Sequence, residues 1–161
     1  MADYYTQWST DLEINSEEEY AWLQEVLNLD PGGYTTSEDE DEESDQYQVI
    51  ADVKKNLGLE LSEDDFDWAF PGFEYQLSKN SLWAYAEEDG NTDTLSRIVQ
   101  AFFKKFRPDG FFYVTWANTC SKMRVDEFNG GAMVVTAEKI KLFNVTDFVR
   151  EQEKLHNEGK A

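Results

Sequence analysis

The sequence predicts an α+β fold, a mixed, mainly antiparallel sheet with helices packed on one face, ferredoxin-like with added strands. Three observations carry this. Two pairs of short alternating segments are each joined by a tight turn, as in hairpins. Leu95, Ile98, Val99, Phe102, Phe103 and Phe106 recur at helical spacing. The elements follow the order β-α, an acidic loop, α, then β-β-α-β-β-β-α. A chain of 161 residues is the size of one domain, and can bury about two-thirds of its unfolded surface.

Trp8, Thr10, Leu12 and Ile14 alternate with Ser9, Asp11 and Glu13, the pattern of a half-buried strand. Ser16-Glu17-Glu18-Glu19 is a capping box, with Ser16 as N-cap, Glu19 reaching back, and acid in the first turn complementing the helix dipole. Tyr20, Leu23 and Leu27 then share a helical face with Trp22 and Val26 beside it, and Pro31-Gly32-Gly33 ends the helix. Residues 31–46 form an acidic loop. Its core, SEDEDEESDQ at 37–46, has no apolar residue, and like charges so dense favour a solvated, disordered state. Val49, Ile50, Val53 and Leu57 fit a short helix, and 60–68 is again acidic around Phe66 and Trp68.

The second half is better patterned. Phe73, Tyr75 and Leu77 alternate with Glu74 and Gln76, while Leu82, Ala84 and Ala86 alternate with Trp83 and Tyr85. With Lys79-Asn80 as the turn, Leu77 faces Leu82 and Tyr75 faces Ala84. The Leu95–Phe106 helix stops at Arg107-Pro108-Asp109-Gly110, a turn sequence. Lys104, Lys105 and Arg107 form a basic cluster that keeps the polar side of this helix soluble. Phe111 to Trp116 is nearly continuous aromatic and β-branched residue, which predicts a central strand covered on both faces. Ala132–Thr136 and Ile140–Phe143 make a second hairpin across Ala137-Glu138-Lys139, with Gly130-Gly131 as a tight turn or bulge leading into it. Asn144 caps a last helix carrying Phe148, Val149 and Leu155, and the polar tail 156–161 frays.

Charge limits function more than any motif does. The net charge is −20, and residues 1–70 hold 21 Asp and Glu against only Lys54 and Lys55. Residues 71–161 hold 13 acids against 12 bases. Such a field repels nucleic acid and anionic membrane and attracts basic protein surfaces. One cysteine, Cys120, excludes an internal disulfide. The N-terminus lacks the basic and apolar regions of a secretory leader, and no apolar run approaches the ~20 residues of a membrane span. The expected location is the cytoplasm.

The segment Trp116–Gly131 crowds polar groups of several kinds between two strands expected to be central. Trp116, Asn118, Cys120, Lys122, Arg124, Asp126 and Glu127 make it the main candidate for small-molecule or enzymatic chemistry, since cations near Cys120 would favour its thiolate. A cysteine nucleophile also needs a base, and the one histidine, His156, lies in the tail. The plain alternative is that Lys122 and Arg124 neutralise Asp126 and Glu127. One Cys and one His make no zinc set. The acidic run lacks the glycine and terminal Glu of a calcium loop, so neither metal nor cofactor is expected.

A partner-binding role needs acids held on ordered structure. Glu17, Glu18, Glu19 and Glu25 on the first helix, with Glu60, Glu63, Asp64, Asp65 and Asp67, are the candidates. Carboxylates so fixed could occupy a nucleic-acid-binding groove in place of phosphates. Residues 4–23, YYTQWSTDLEINSEEEYAWL, and 112–140, FYVTWANTCSKMRVDEFNGGAMVVTAEKI, resemble a family of small acidic proteins encoded by bacteriophages and mobile elements. The resemblance transfers no catalytic residue. It implies a bacterial host cytosol and a target in host or defence machinery. The expectation is a non-enzymatic protein that engages a basic, nucleic-acid-binding protein surface as a mimic or inhibitor. A small enzyme or ligand-binding domain built on the Trp116–Gly131 loop is the alternative.

Overall fold

The computed structural model of the protein describes residues 2–28 and 71–159. Strands β1 (Tyr4–Glu13), β2 (Glu74–Leu77), β3 (Ser81–Ala86), β4 (Phe111–Cys120), β5 (Asn129–Thr136) and β6 (Ile140–Asn144) are joined with helices α1 (Glu17–Leu27), α2 (Thr92–Phe106) and α3 (Val145–Glu158). The sheet order is β2-β3-β1-β4-β5-β6, and every neighbouring pair is antiparallel. The first four strands with α1 and α2 are two interleaved β-α-β units, the ferredoxin-like arrangement. The β5–β6 hairpin widens the sheet beyond β4. The expected acidic loop 31–46, the short helix from Val49 to Leu57 and the acids at 60–67 lie outside the described residues.

Alternation sets the core face. Trp8, Leu12 and Ile14 of the β1 segment, Leu82, Ala84 and Ala86 of β3, Phe112 and Val114 of β4, and Met133 and Val135 of β5 are buried together. Against them α2 buries Leu95, Ile98, Val99, Phe102 and Phe103, worth roughly 10 kcal/mol before chain entropy is set against it. Asn91 caps this helix by accepting from the Thr94 N–H at 3.1 Å. Helix α1 buries Trp22, Leu23, Val26 and Leu27, and Trp22 meets Phe102 and Phe106 at ring separations of 6.1 and 6.0 Å. The β2–β3 register is the one the alternation predicts, with Leu77 opposite Leu82 and Tyr75 opposite Ala84.

The capping box forms with one change. Ser16 accepts from the Glu19 N–H, but the Glu19 carboxylate reaches one residue further back, to the Asn15 N–H at 2.7 Å. It also receives Arg107, whose Nη2 lies 2.8 Å from Oε2 and whose Nε lies 3.2 Å from Oε1. The same guanidinium donates to the Glu13 carbonyl and stands 5.0 Å over the Phe102 ring. Arg107 is therefore not a solubilising member of a surface cluster; Lys104 and Lys105 alone remain exposed there. Glu19 is 6% exposed. Burial pushes its pKa up, but the hydrogen bonds from Arg107 and Asn15 and the Arg107 charge outweigh this and hold it below the usual 4.5.

Strand β4 differs from expectation in both length and burial. It runs to Cys120 rather than ending at Trp116. Tyr4–Trp8 pair along one side of it and Asn129–Gly131 along the other, so Asn118 and Thr119 stay in the ladder despite being polar. Thr6 Oγ1 donates to Asn118 Oδ1 at 2.8 Å, and Asn118 donates to Asn129 Oδ1. Gly130 and Gly131 lie in regular register opposite Ala117 and Trp116, so they are strand residues and not a turn. A side chain at Gly131 would collide with the Trp116 indole and the Phe143 carbonyl. Strand β4 is covered on one face only: Phe112 and Val114 are buried while Phe111 and Tyr113 stand in solvent.

Asn144 caps α3 through the Thr146 and Asp147 N–H groups. The helix continues to Glu158, so the expected frayed tail is helical through that residue. It meets β6 through Phe143 and Phe148, 5.9 Å apart, and buries no side chain fully.

This packing sets the cost of three substitutions. Glu19→Gln strands the Arg107 charge and should cost about 3 kcal/mol at pH 7. A depressed folded pKa stabilises above the unfolded value and loses that contribution as pH falls through the folded one. Urea midpoints of wild type and variant should therefore converge in acid; a constant gap across pH would refute the assignment. Gly131→Ala should cost about 1–3 kcal/mol through overpacking. Gly159→Ala, whose added carbon meets nothing closer than 3.6 Å, should change unfolding by under about 0.5 kcal/mol.

Candidate binding surface on the open sheet face

Because α1 and α2 cover one side of the sheet, alternation sends the intervening side chains to the other. On β1 these are Gln7, Ser9, Asp11 and Glu13; on β2, Glu74 and Gln76; on β3, Trp83 and Tyr85; on β4, Phe111, Tyr113 and Thr115. The register places Asp11 opposite Trp83 and Ser9 opposite Tyr85, and Glu74 opposite Tyr85. Four aromatic rings thus share one open face. Phe111 is 67% exposed, Tyr113 59% and Trp83 40%. Three carboxylates accompany them, and no outward position on β1 to β4 carries Lys or Arg.

This face has a groove with a local cause. The β1–β4 ladder extends from Tyr4 opposite Cys120 to Trp8 opposite Trp116. Beyond it, the Thr10 hydroxyl donates to the Tyr113 carbonyl at 3.2 Å, while β1 pairs with β3 through to Glu13. The opening between β1 and β4 is a groove of about 520 Å³, lined by Ser9, Thr10 and Asp11, by Trp83, and by Phe111 to Thr115. Trp83 is fixed on its far side. Its ring stacks on Tyr85 at 4.3 Å and 25°, and its Nε1–H donates to Ser9 Oγ at 2.8 Å. Phe111 and Tyr113 stand side by side across from it, 6.5 Å apart. Asp11 forms no ion pair among the described residues.

Of the residues expected to bind a partner, those described lie on α1. Glu17, Glu18 and Glu25 are exposed on α1, on the opposite side of the sheet from the groove. Glu19 is corrected from a presenting acid to an internal one, because Arg107 takes its carboxylate. Glu60, Glu63, Asp64, Asp65 and Asp67 lie outside the described residues.

The Trp116–Gly131 loop shrinks to residues 121–128. Trp116 packs against the core, Asn118 is held in the ladder, and Cys120 is buried at 8% exposure opposite Tyr4. Lys122, Arg124 and Asp126 are exposed and Glu127 is half-buried. Neither cation forms an ion pair with Asp126 or Glu127; Arg124 instead donates to the Tyr4 hydroxyl at 3.3 Å. Asp126 adopts a left-handed backbone with φ 65°, suited to a tight turn. Among the described residues no three His, Cys, Asp or Glu side chains gather as a metal site.

Sequence reasoning missed the aromatic face, although one signal was present. Leu82, Ala84 and Ala86 make a slim inward row, so the bulky Trp83 and Tyr85 had to face outward. No family model, curated protein or solved structure matches this chain.

Burial of Cys120 has a direct readout. A thiol reagent such as Ellman's should label the native protein at least tenfold more slowly than the protein in denaturing urea. Equal rates would place the sulfur at the surface.

Proposed function

We propose that this is a non-enzymatic binding protein that engages a basic protein surface through the open face of its sheet. One observation carries the reading: Trp83, Tyr85, Phe111 and Tyr113 share a face with Asp11, Glu13 and Glu74, and the strands that bear them, β1 to β4, present no base there. The outward cation Lys141 lies two strands away from Tyr113, on β6 at the far end of the sheet. Aromatic side chains on rigid strands supply most of the energy of a typical interface, and tyrosine and tryptophan are enriched among its anchors. Carboxylates around them steer a basic partner and reject acidic ones. Direct nucleic-acid binding is the natural rival, because exposed aromatics on an antiparallel sheet can stack bases. Three acids around the rings, with the outward Lys141 two strands away on β6, repel the phosphates that such stacking would bring along.

In its finer form, the protein belongs with the acidic proteins of bacteriophages and mobile elements that its two segments resemble. It acts in the host cytoplasm, and its partner is a host protein whose basic surface ordinarily holds nucleic acid. Rings and carboxylates on one face then stand where bases and phosphates would.

The test is affinity capture from bacterial lysate with wild type and with Trp83→Ala/Tyr113→Ala as bait, alongside binding to a single-stranded oligonucleotide. Wild type should retain a basic protein that the double variant retains at least tenfold less, with no oligonucleotide bound. Equal capture by both baits, or preference for the oligonucleotide, would defeat the proposal.

A further inference from the structure

We propose that the groove between Trp83 and the Phe111–Tyr113 pair is a socket for one arginine side chain of the partner, with Asp11 as its counter-ion. This rests on the reading of the open face as a binding surface for a basic protein and adds which residue that surface selects.

The walls come first. One face of the Trp83 indole is occupied by Tyr85, which leaves the other for the groove it lines. The Ser9 hydroxyl holds the ring by its N–H, so little rotamer freedom is lost when something stacks on it. Phe111 and Tyr113 supply ring surface opposite. Three electron-rich faces around one space favour a cation.

The charge then fixes the sign. Asp11 lies in register with Trp83, lines the same groove and has no cation of its own among the described residues. A neutral or anionic guest leaves that carboxylate unanswered. A second copy of this chain is disfavoured as the occupant because its own open face carries the same three acids.

Shape chooses arginine over lysine. A guanidinium is planar, can stack flat on an indole while its edge N–H groups reach a carboxylate, and is more weakly hydrated than an ammonium. The groove, about 520 Å³, holds such a side chain together with the backbone on either side of it.

The experiment uses the full chain and two blocked pentapeptides, Gly-Gly-Arg-Gly-Gly and the same sequence with citrulline. Citrulline keeps the planar shape of arginine, replaces one NH2 donor by a carbonyl acceptor and removes the charge. Binding is followed by NMR at the tryptophan indole N–H signals, with that of Trp83 assigned from its loss in Trp83→Phe. The arginine peptide should shift the Trp83 signal saturably, with citrulline at least tenfold weaker. Asp11→Asn, a surface change that preserves the fold by circular dichroism, should weaken the arginine peptide at least tenfold. Glu17→Gln/Glu18→Gln, on the other side of the sheet, should leave it unchanged. Equal binding of the two peptides, indifference to Asp11→Asn, or the absence of a saturable Trp83 shift would overturn the socket.

Failure here is separable from failure of the broader reading. If Trp83 and Tyr113 govern capture of a basic protein but the arginine peptide does not bind, the socket falls alone. If the peptide behaves as expected while no basic protein is captured, the socket stands and the broader reading falls.

Discussion

A carboxylate and a guanidinium, 88 residues apart in the chain, meet where the end of β1, the start of α1 and the end of α2 converge. Glu19 accepts from Arg107 and from the Asn15 N–H, and Arg107 also serves the Glu13 carbonyl and the Phe102 ring. Each group is partly withdrawn from water, with side-chain exposures of 21% for Arg107 and 7% for Glu19. Removing either one leaves several polar atoms without partners, which costs more than the pair contributes when whole. By tying α1 and α2 to the same edge of β1, the pair holds both helices on one side of the sheet. The opposite side is left open across β1 to β4 as a consequence, while α3 meets it at the β6 end through Phe143 and Phe148.

That division separates the charge of the protein into two populations with different surroundings. The acids of α1 sit on the helical side, around an aromatic interface already filled by Trp22, Phe102 and Phe106. Those of β1 and β2 sit among rings that have no such filling. A carboxylate beside exposed aromatic surface works in a lower local dielectric than one standing alone in water, so its attraction for a cation is less screened. Few charges in the right surroundings can outweigh many in the wrong ones.

Much of the frame was legible from residue pattern alone. The β2–β3 register followed from two alternations and one turn, and the caps at Ser16 and Asn144 follow the ordinary chemistry of helix starts. What pattern could not reveal was which side of an apolar strand is covered. Phe111 to Trp116 carries apolar groups on both faces, so its periodicity is silent, and only the shortage of helices to cover a second face exposes Phe111 and Tyr113. The extension of β4 to Cys120 depends on pairing with Tyr4–Trp8, a contact between opposite ends of the sequence that no local signal encodes. Glu19 carried a correct local signal, as a capping residue, that concealed its long-range role with Arg107.

The place of β1 in the sheet has a consequence for how the protein is made. It lies between β3 and β4, and its first residues pair with residues as late as Cys120. The ribosome therefore releases β1 long before either neighbour exists, and the centre of the sheet cannot close until β4 has emerged. Pairings so distant in sequence form slowly, and an unpaired apolar strand is an aggregation hazard while it waits. The acid-rich first seventy residues travel with that strand during the interval. Their mutual repulsion keeps nascent chains apart, so a charge distribution suited to a basic partner also protects the chain before it has a surface to offer.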